Sequence, residues 1–235
     1  MDSSIWRHRA LAAFGLTAAT LAHAGLPLLS EDAGILGGGG ECEVEAVAAS
    51  VREAGSSALE HALGLACGTG SRWQWGLGVA RARADGATAR GLALGGKVLL
   101  WAPSEDAAVV LAPNFGWADD GNGWQHASQD FNLVYSGPLA PDWTLHLNLG
   151  HGRDRLADER STGWSVAAEH AGFAAGGLVL APMADLAGDD RGAPWWNLGL
   201  RATVIEGQLW LAASYARQMD SGRARLATLS VKLAF

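Results

Sequence analysis

Along much of this chain, apolar side chains return at every second position. Over residues 143–150, Trp143, Leu145, Leu147 and Leu149 alternate with Thr144, His146, Asn148 and Gly150. Trp196, Leu198, Leu200, Ala202 and Val204 alternate with Asn197, Gly199, Arg201 and Thr203, and Trp73, Trp75, Leu77 and Val79 alternate with Gln74, Gly76 and Gly78. A period of two puts one set on each face of an extended strand. Twelve segments can be read this way: 41–52, 57–68, 71–83, 89–101, 107–117, 128–136, 142–151, 162–170, 174–184, 195–205, 208–217 and 224–235. Most are near the roughly 9–11 residues that a tilted strand needs to cross a bilayer. Pro113 and Pro182 are expected to break the fifth and ninth, because proline takes a donor out of the ladder.

The less apolar face decides what kind of β protein this is. It carries glycine, alanine, serine and isolated charges, which suits a narrow wet lumen. Trp73, Trp143, Trp164 and Trp196 stand at the ends of apolar faces, as in an interfacial aromatic girdle. Connections at 117–127, 152–161, 185–193 and 219–224 are longer and more charged than those at 68–71, 102–106, 136–142 and 206–207. Short turns at one end and longer loops at the other mark an outer-membrane barrel. The fold expected is all-β, a transmembrane antiparallel up-and-down β-barrel of about twelve strands spanning 41–235, with both termini at the short-turn, periplasmic end.

Both ends of the chain agree with export. Arg7, His8 and Arg9 precede an apolar run, and Ala22-His23-Ala24 offers small residues before a cut at Gly25, so 1–24 reads as a secretory signal peptide. At the other terminus Leu229, Val231, Leu233 and Phe235 alternate up to a final aromatic, as in the strand by which the barrel-assembly machinery recognises its clients. That last strand should close the barrel on the first, so that no backbone edge faces lipid.

Charge and composition narrow the partners. Net charge is −7 and only 17% of residues are charged, which argues against nucleic acid. The partners expected are outer-membrane lipid, the assembly machinery during biogenesis and a small-molecule solute of unknown identity. No mature stretch has 18 consecutive apolar residues, so no spanning helix is expected.

Cys42 and Cys67 fit one hairpin. A two-residue turn at Ala54-Gly55 pairs residues whose numbers sum to 109, and 42 and 67 do so. Counting from the turn places them at a non-hydrogen-bonded pair, where Cα atoms lie about 4.5 Å apart, within disulfide reach. The bridge is worth roughly 3.5 kcal/mol on a chain-entropy estimate.

Alternation turns Glu43, Glu45, Lys97, Asp130, His146, Glu169, Arg201 and Lys232 inwards, since Lys or Arg on the lipid face at mid-bilayer costs about 2–4 kcal/mol. They read first as an ion-pair network filling a small barrel, and alternatively as a polar constriction that selects solutes. Residues 25–40 end in "LGGGG". This segment reads first as a flexible periplasmic tail, and alternatively as a lumen plug in which Glu31 and Asp32 meet Lys97, Arg201 or Lys232.

The chain resembles the bacterial outer-membrane proteins grouped with the phenol-degradation meta-pathway protein. The resemblance rests on "LPLLSEDAGILGGGGECEVEA", "LACGTGSRWQWGLGVARARADG", "LALGGKVLLW", "GWSVAAEH" and "PWWNLGLR", in that order. Gly34 stands where many members carry a basic residue. The resemblance implies an outer-membrane barrel passing small molecules and identifies no substrate; small hydrophobic or aromatic compounds are one solute class that such a channel would pass. A structural or adhesive barrel is the alternative. An outer-membrane lipid-acting enzyme is disfavoured: His61 and His170, on the apolar face, have no evident serine partner, and "GHGRD" and "DDGNG" lack the spacing of a phosphate or calcium loop. No catalytic residue, metal site or cofactor is expected.

Overall fold

The computed structural model describes residues 29–36, 39–53, 55–220 and 224–235. The expected signal peptide, Ala54 of the first turn, and Gly37 and Gly38 of the glycine run lie outside these residues.

Twelve strands close into an antiparallel barrel in chain order. They are β1 (Gly39–Glu53), β2 (Ser56–Thr69), β3 (Trp73–Ala84), β4 (Ala87–Ser104), β5 (Ala107–Asp119), β6 (Gln125–Ala140), β7 (Trp143–Asp154), β8 (Glu159–His170), β10 (Leu178–Asp189), β11 (Trp195–Ile205), β12 (Leu209–Gln218) and β13 (Arg225–Ala234). The short β9 (Phe173–Ala175) pairs only with the start of β10. The closing pair is β13 with β1, in register from Glu43 opposite Ala234 to Arg52 opposite Arg225.

Eleven of the twelve segments read from the alternation are present; the ninth, 174–184, is divided by a turn at Gly176–Gly177 between β9 and β10, and neither proline breaks its strand. In the β4–β5 ladder Gly95 pairs with Asn114 and Val98 with Leu111, and the bonded pairs between them are missing where Pro113 has no N–H. The register is unchanged across that gap. Pro182 lies one residue beyond the last β8 pair, Met183 with Glu169, so its missing donor falls where β8 ends. Beyond it β9 takes over pairing with β10. Several loops are also shorter than the charge pattern implies. The connection expected at 152–161 is strand up to Asp154 and again from Glu159.

The packing is inverted relative to a soluble domain. Outward side chains are large and apolar: Leu63, Leu94, Leu133, Leu149, Leu198 and Leu229 are all exposed. Trp73 and Trp143 sit outwards at the end that holds the termini, and Trp164 and Trp196 at the opposite, loop end. Buried positions are instead small or polar, Ala66, Ala93 and Ala167 beside Glu43, Lys97 and Asn197. A closed barrel greasy outside and polar inside satisfies its backbone in lipid without an edge.

Cys42 and Cys67 form a disulfide at directly opposed positions of β1 and β2. Cys42 N–H and C=O are both bonded to Phe235 of β13, each at 2.9 Å, so the Cys42–Cys67 pair is the non-hydrogen-bonded kind expected from the turn. The bridge therefore ties β2 to the seam. Replacing both cysteines by serine should lower the melting midpoint, read as loss of the fast-migrating band on an unboiled gel, while the barrel still assembles.

Candidate functional site

The inward charges gather in the half of the barrel nearest the termini. Strand register sets this: Glu43 and Glu45 lie near the start of β1, Lys97 faces Gln74 across β3–β4, and Lys232 faces Glu45 and Trp210. His146 and Glu169 come from β7 and β8, and Arg201 from β11. Asp130 is the exception. It lies further towards the loop end, opposite Asn114 and Gly152.

Residues 29–36 run along the lumen from Gln74, near the end that holds the termini, to Asp185 and Asn197, further towards the loop end, bonded mostly to inward side chains of the wall. Leu36 N–H donates to Gln74 Oε1 at 3.0 Å. Beside it the Leu36 carbonyl approaches Gly68 so closely that a Cβ there would collide with it, so β2 carries glycine at the crossing. Ala33 N–H donates to Ser136 Oγ at 2.7 Å, and the Ala33 methyl is buried against Val110 and Val134. Glu31 makes a two-way contact with Asn148: its N–H donates to Oδ1 at 3.0 Å, and Asn148 Nδ2 donates to its carbonyl at 2.9 Å. Asn132 Nδ2 donates to the Glu31 carboxylate at 3.0 Å. Leu29 N–H reaches Asp185 Oδ2 at 2.8 Å, and Asn197 donates to the same oxygen at 3.3 Å.

Lys97 holds the centre of the segment. Its Nζ donates to the Asp32 carbonyl at 2.8 Å, to the Gly34 carbonyl at 3.2 Å and to Asp32 Oδ1 at 3.3 Å, with Glu31 Oε1 at 3.8 Å. Only 1% of this side chain is exposed. Burial alone would raise the Asp32 carboxyl, but Lys97 and more distant cations outweigh it and hold the group at about 2. Asp32 thus remains a carboxylate facing an ammonium. Gly34 N–H donates back to Asp32 Oδ1 at 2.7 Å, which bends the chain around the lysine. Of the three cations expected to meet the acidic pair, Lys97 contacts both of its members directly.

A second group crosses the lumen beside the first. Glu169 is paired with Arg201 and faces His146 Nε2 at 3.6 Å. The Ser136 hydroxyl, which accepts from Ala33 N–H, is also hydrogen-bonded to His146 Nδ1 at 2.7 Å. Glu43 pairs with Lys232 at 3.4 Å, and Lys232 Nζ lies 5.9 Å from the Trp210 ring centre. Glu43, Glu45, Arg201, Trp210, Ser230 and Lys232 line a cavity of about 290 Å³. Arg201→Ala should lower the melting midpoint by the equivalent of about 1–3 kcal/mol, less than a dry buried pair because water reaches it. Adding Glu169→Gln should recover part of that loss, a coupling that melts of the two single variants and the double variant measure.

Charge parity finds Lys97, His146, Glu169, Arg201 and Lys232 but misses the neutral groups that grip the segment. Gln74, Asn132, Ser136 and Asn148 all occupy inward positions, so polar residues on the wet face were the available signal.

Among solved structures, the translocator domain of the autotransporter NalP from Neisseria meningitidis is similar at 14% identity, covering 99% of this chain and 98% of that one, with a TM-score of 0.58. A KdgM porin in complex with disordered oligogalacturonate is similar at 8% identity, covering 81% and 99%, with a TM-score of 0.56. An outer-membrane channel from Pseudomonas putida F1 is similar at 12% identity, covering 86% and 97%, with a TM-score of 0.54. No protein-family model and no curated protein matches the chain. At these identities the likeness carries the fold alone: the chain is built as a twelve-stranded outer-membrane β-barrel.

Proposed function

We propose that this protein is an outer-membrane channel for small molecules whose lumen is closed by its own residues 29–36, latched on Lys97. The observation that carries this reading is the way the segment is held. It does not join the sheet. Its hydrogen bonds are mostly to side chains from five strands, which let go without opening the barrel wall. The 290 Å³ cavity beside it marks where a path widens once the segment moves. The porin and channel folds among the similar structures are consistent with passage of solutes. The resemblance to the phenol-degradation meta-pathway group favours small hydrophobic or aromatic compounds as the cargo, and no chemistry at the site calls for an enzyme. Planar-bilayer recording of the refolded protein separates this reading from a purely structural barrel: rare, discrete openings are expected, and a permanently silent barrel that stays silent in every lumen variant rejects it.

A further inference from the structure

The outer surface carries a cationic group that the lumen does not use. Arg52 of β1 lies directly opposite Arg225 of β13, and Arg225 lies directly opposite Arg217 of β12. Alternation turns all three outwards, at the loop end of the wall; Arg52 and Arg225 are exposed and Arg217 is half-buried. Neighbouring strands are about 4.8 Å apart, so three guanidinium groups stand abreast over roughly 10 Å. Like charges at directly opposed positions repel. Among the described residues none of the three has an ion-pair partner, whereas Arg153 and Arg191 on another part of the rim are paired with Asp158 and Glu159. A second outward pair, Arg81 opposite Arg90, continues the same sign around the wall.

Below the three arginines the surface becomes a shallow apolar channel along the strand direction. On β1 the outward residues are small: Ser50, Ala48 and Ala46. Their partners on one side include Leu229 and Val231 of β13, and on the other Leu63 of β2. A trough of small side chains, flanked by Leu229 and Val231 on one side and by Leu59, His61 and Leu63 on the other, suits an extended acyl chain, and it begins two residues below Arg52.

We infer that Arg52, Arg217 and Arg225 bind the phosphate groups of a lipid in the outer leaflet, the phosphorylated glycolipid of the outer-membrane surface, with an acyl chain laid along Ala46–Ser50. Guanidinium groups match phosphate oxygens with paired hydrogen bonds, and a bound phosphate offsets the repulsion among the three. The apolar trough immediately below favours a lipid over a soluble phosphate. The inference rests on the loop end facing the cell exterior, as the channel reading has it.

The test is native mass spectrometry of the detergent-refolded, heat-modifiable barrel with bisphosphorylated lipid A, lipid A stripped of both phosphates, and inorganic pyrophosphate. Retention of bisphosphorylated lipid A is expected, with Arg52→Gln/Arg217→Gln/Arg225→Gln weakening it at least about tenfold (about 1.4 kcal/mol). Unboiled gel mobility shows that the variant folds. Equal retention of the stripped lipid, or no loss in the triple variant, overturns the site. Competition by pyrophosphate as strong as by lipid A assigns it to a soluble phosphate and overturns the lipid assignment. Orientation is read separately, by labelling Asp190→Cys on intact cells with an impermeant thiol reagent. Unchanged conductance in the triple variant keeps this result independent of the channel reading.

Discussion

Lys97→Ala is expected to convert a mostly closed barrel into a frequently open one. The ammonium it removes contacts Asp32, Gly34 and Glu31 together, and it is buried. Hydrogen bonds to a charged group are each worth about 1.5–3 kcal/mol, and a loss of about 3 kcal/mol shifts a closed-to-open ratio by more than about a hundredfold. The Asp32 and Glu31 carboxylates would also be left without their cation in a confined lumen, which favours expulsion of the segment. Lys97→Met keeps the bulk without the charge and should behave like alanine. Lys97→Arg keeps the charge and should stay largely closed. Open probability in planar bilayers, compared with the melting midpoint of the same proteins, is the measurement. A lowered midpoint with unchanged gating would make Lys97 a brace of the wall and nothing more.

Deleting Phe235 is expected to reduce folded barrel in the outer membrane several-fold. Two properties end at this residue. Its backbone exchanges both hydrogen bonds with Cys42, completing the seam at the end where the termini meet, and its ring is 69% exposed on the lipid side. Deletion removes both. Phe235→Ala removes the ring and keeps the backbone pair, so it separates the two roles. If alanine is as poor as the deletion, recognition of the aromatic sets the level. If alanine assembles normally and the deletion does not, closure of the seam does. Quantifying the heat-modifiable band in membrane fractions distinguishes these outcomes. Wild-type levels in both variants would make the terminal residue incidental.

The wall of this protein was open to reading because membrane and lumen impose opposite demands on alternate residues. Trp143 to Gly150 needs no tertiary information to be assigned a strand and two faces. The pairing of Cys42 with Cys67 likewise follows from one short turn and arithmetic on residue numbers. The prolines misled because a ladder tolerates a missing donor where the neighbour's bond can be spared, at a gap in β4–β5 for Pro113 and just beyond the end of β8 for Pro182. The position of residues 29–36 was much less legible. "SEDAGIL" has no period, and its grip comes from Gln74, Asn132, Ser136 and Asn148, which lie from 38 to 117 positions away along the chain. Only Glu31 and Asp32, as acids facing a lumen with three cations, hinted at where it goes. Which cation would take them depended on strand register and height, and these emerge only when the barrel closes.

The central claim is that residues 29–36 limit passage through the barrel. Its most direct test is planar-bilayer conductance of refolded residues 37–235, recorded beside refolded residues 25–235 after both are shown to be heat-modifiable. Truncation leaves β1 and the disulfide intact, because the first strand begins at Gly39 and the bridge at Cys42. The account predicts a larger and steadier conductance in the truncated barrel, with Lys97→Ala adding little to it. Equal conductance in the two folded proteins, or a truncated barrel that remains closed, would contradict it.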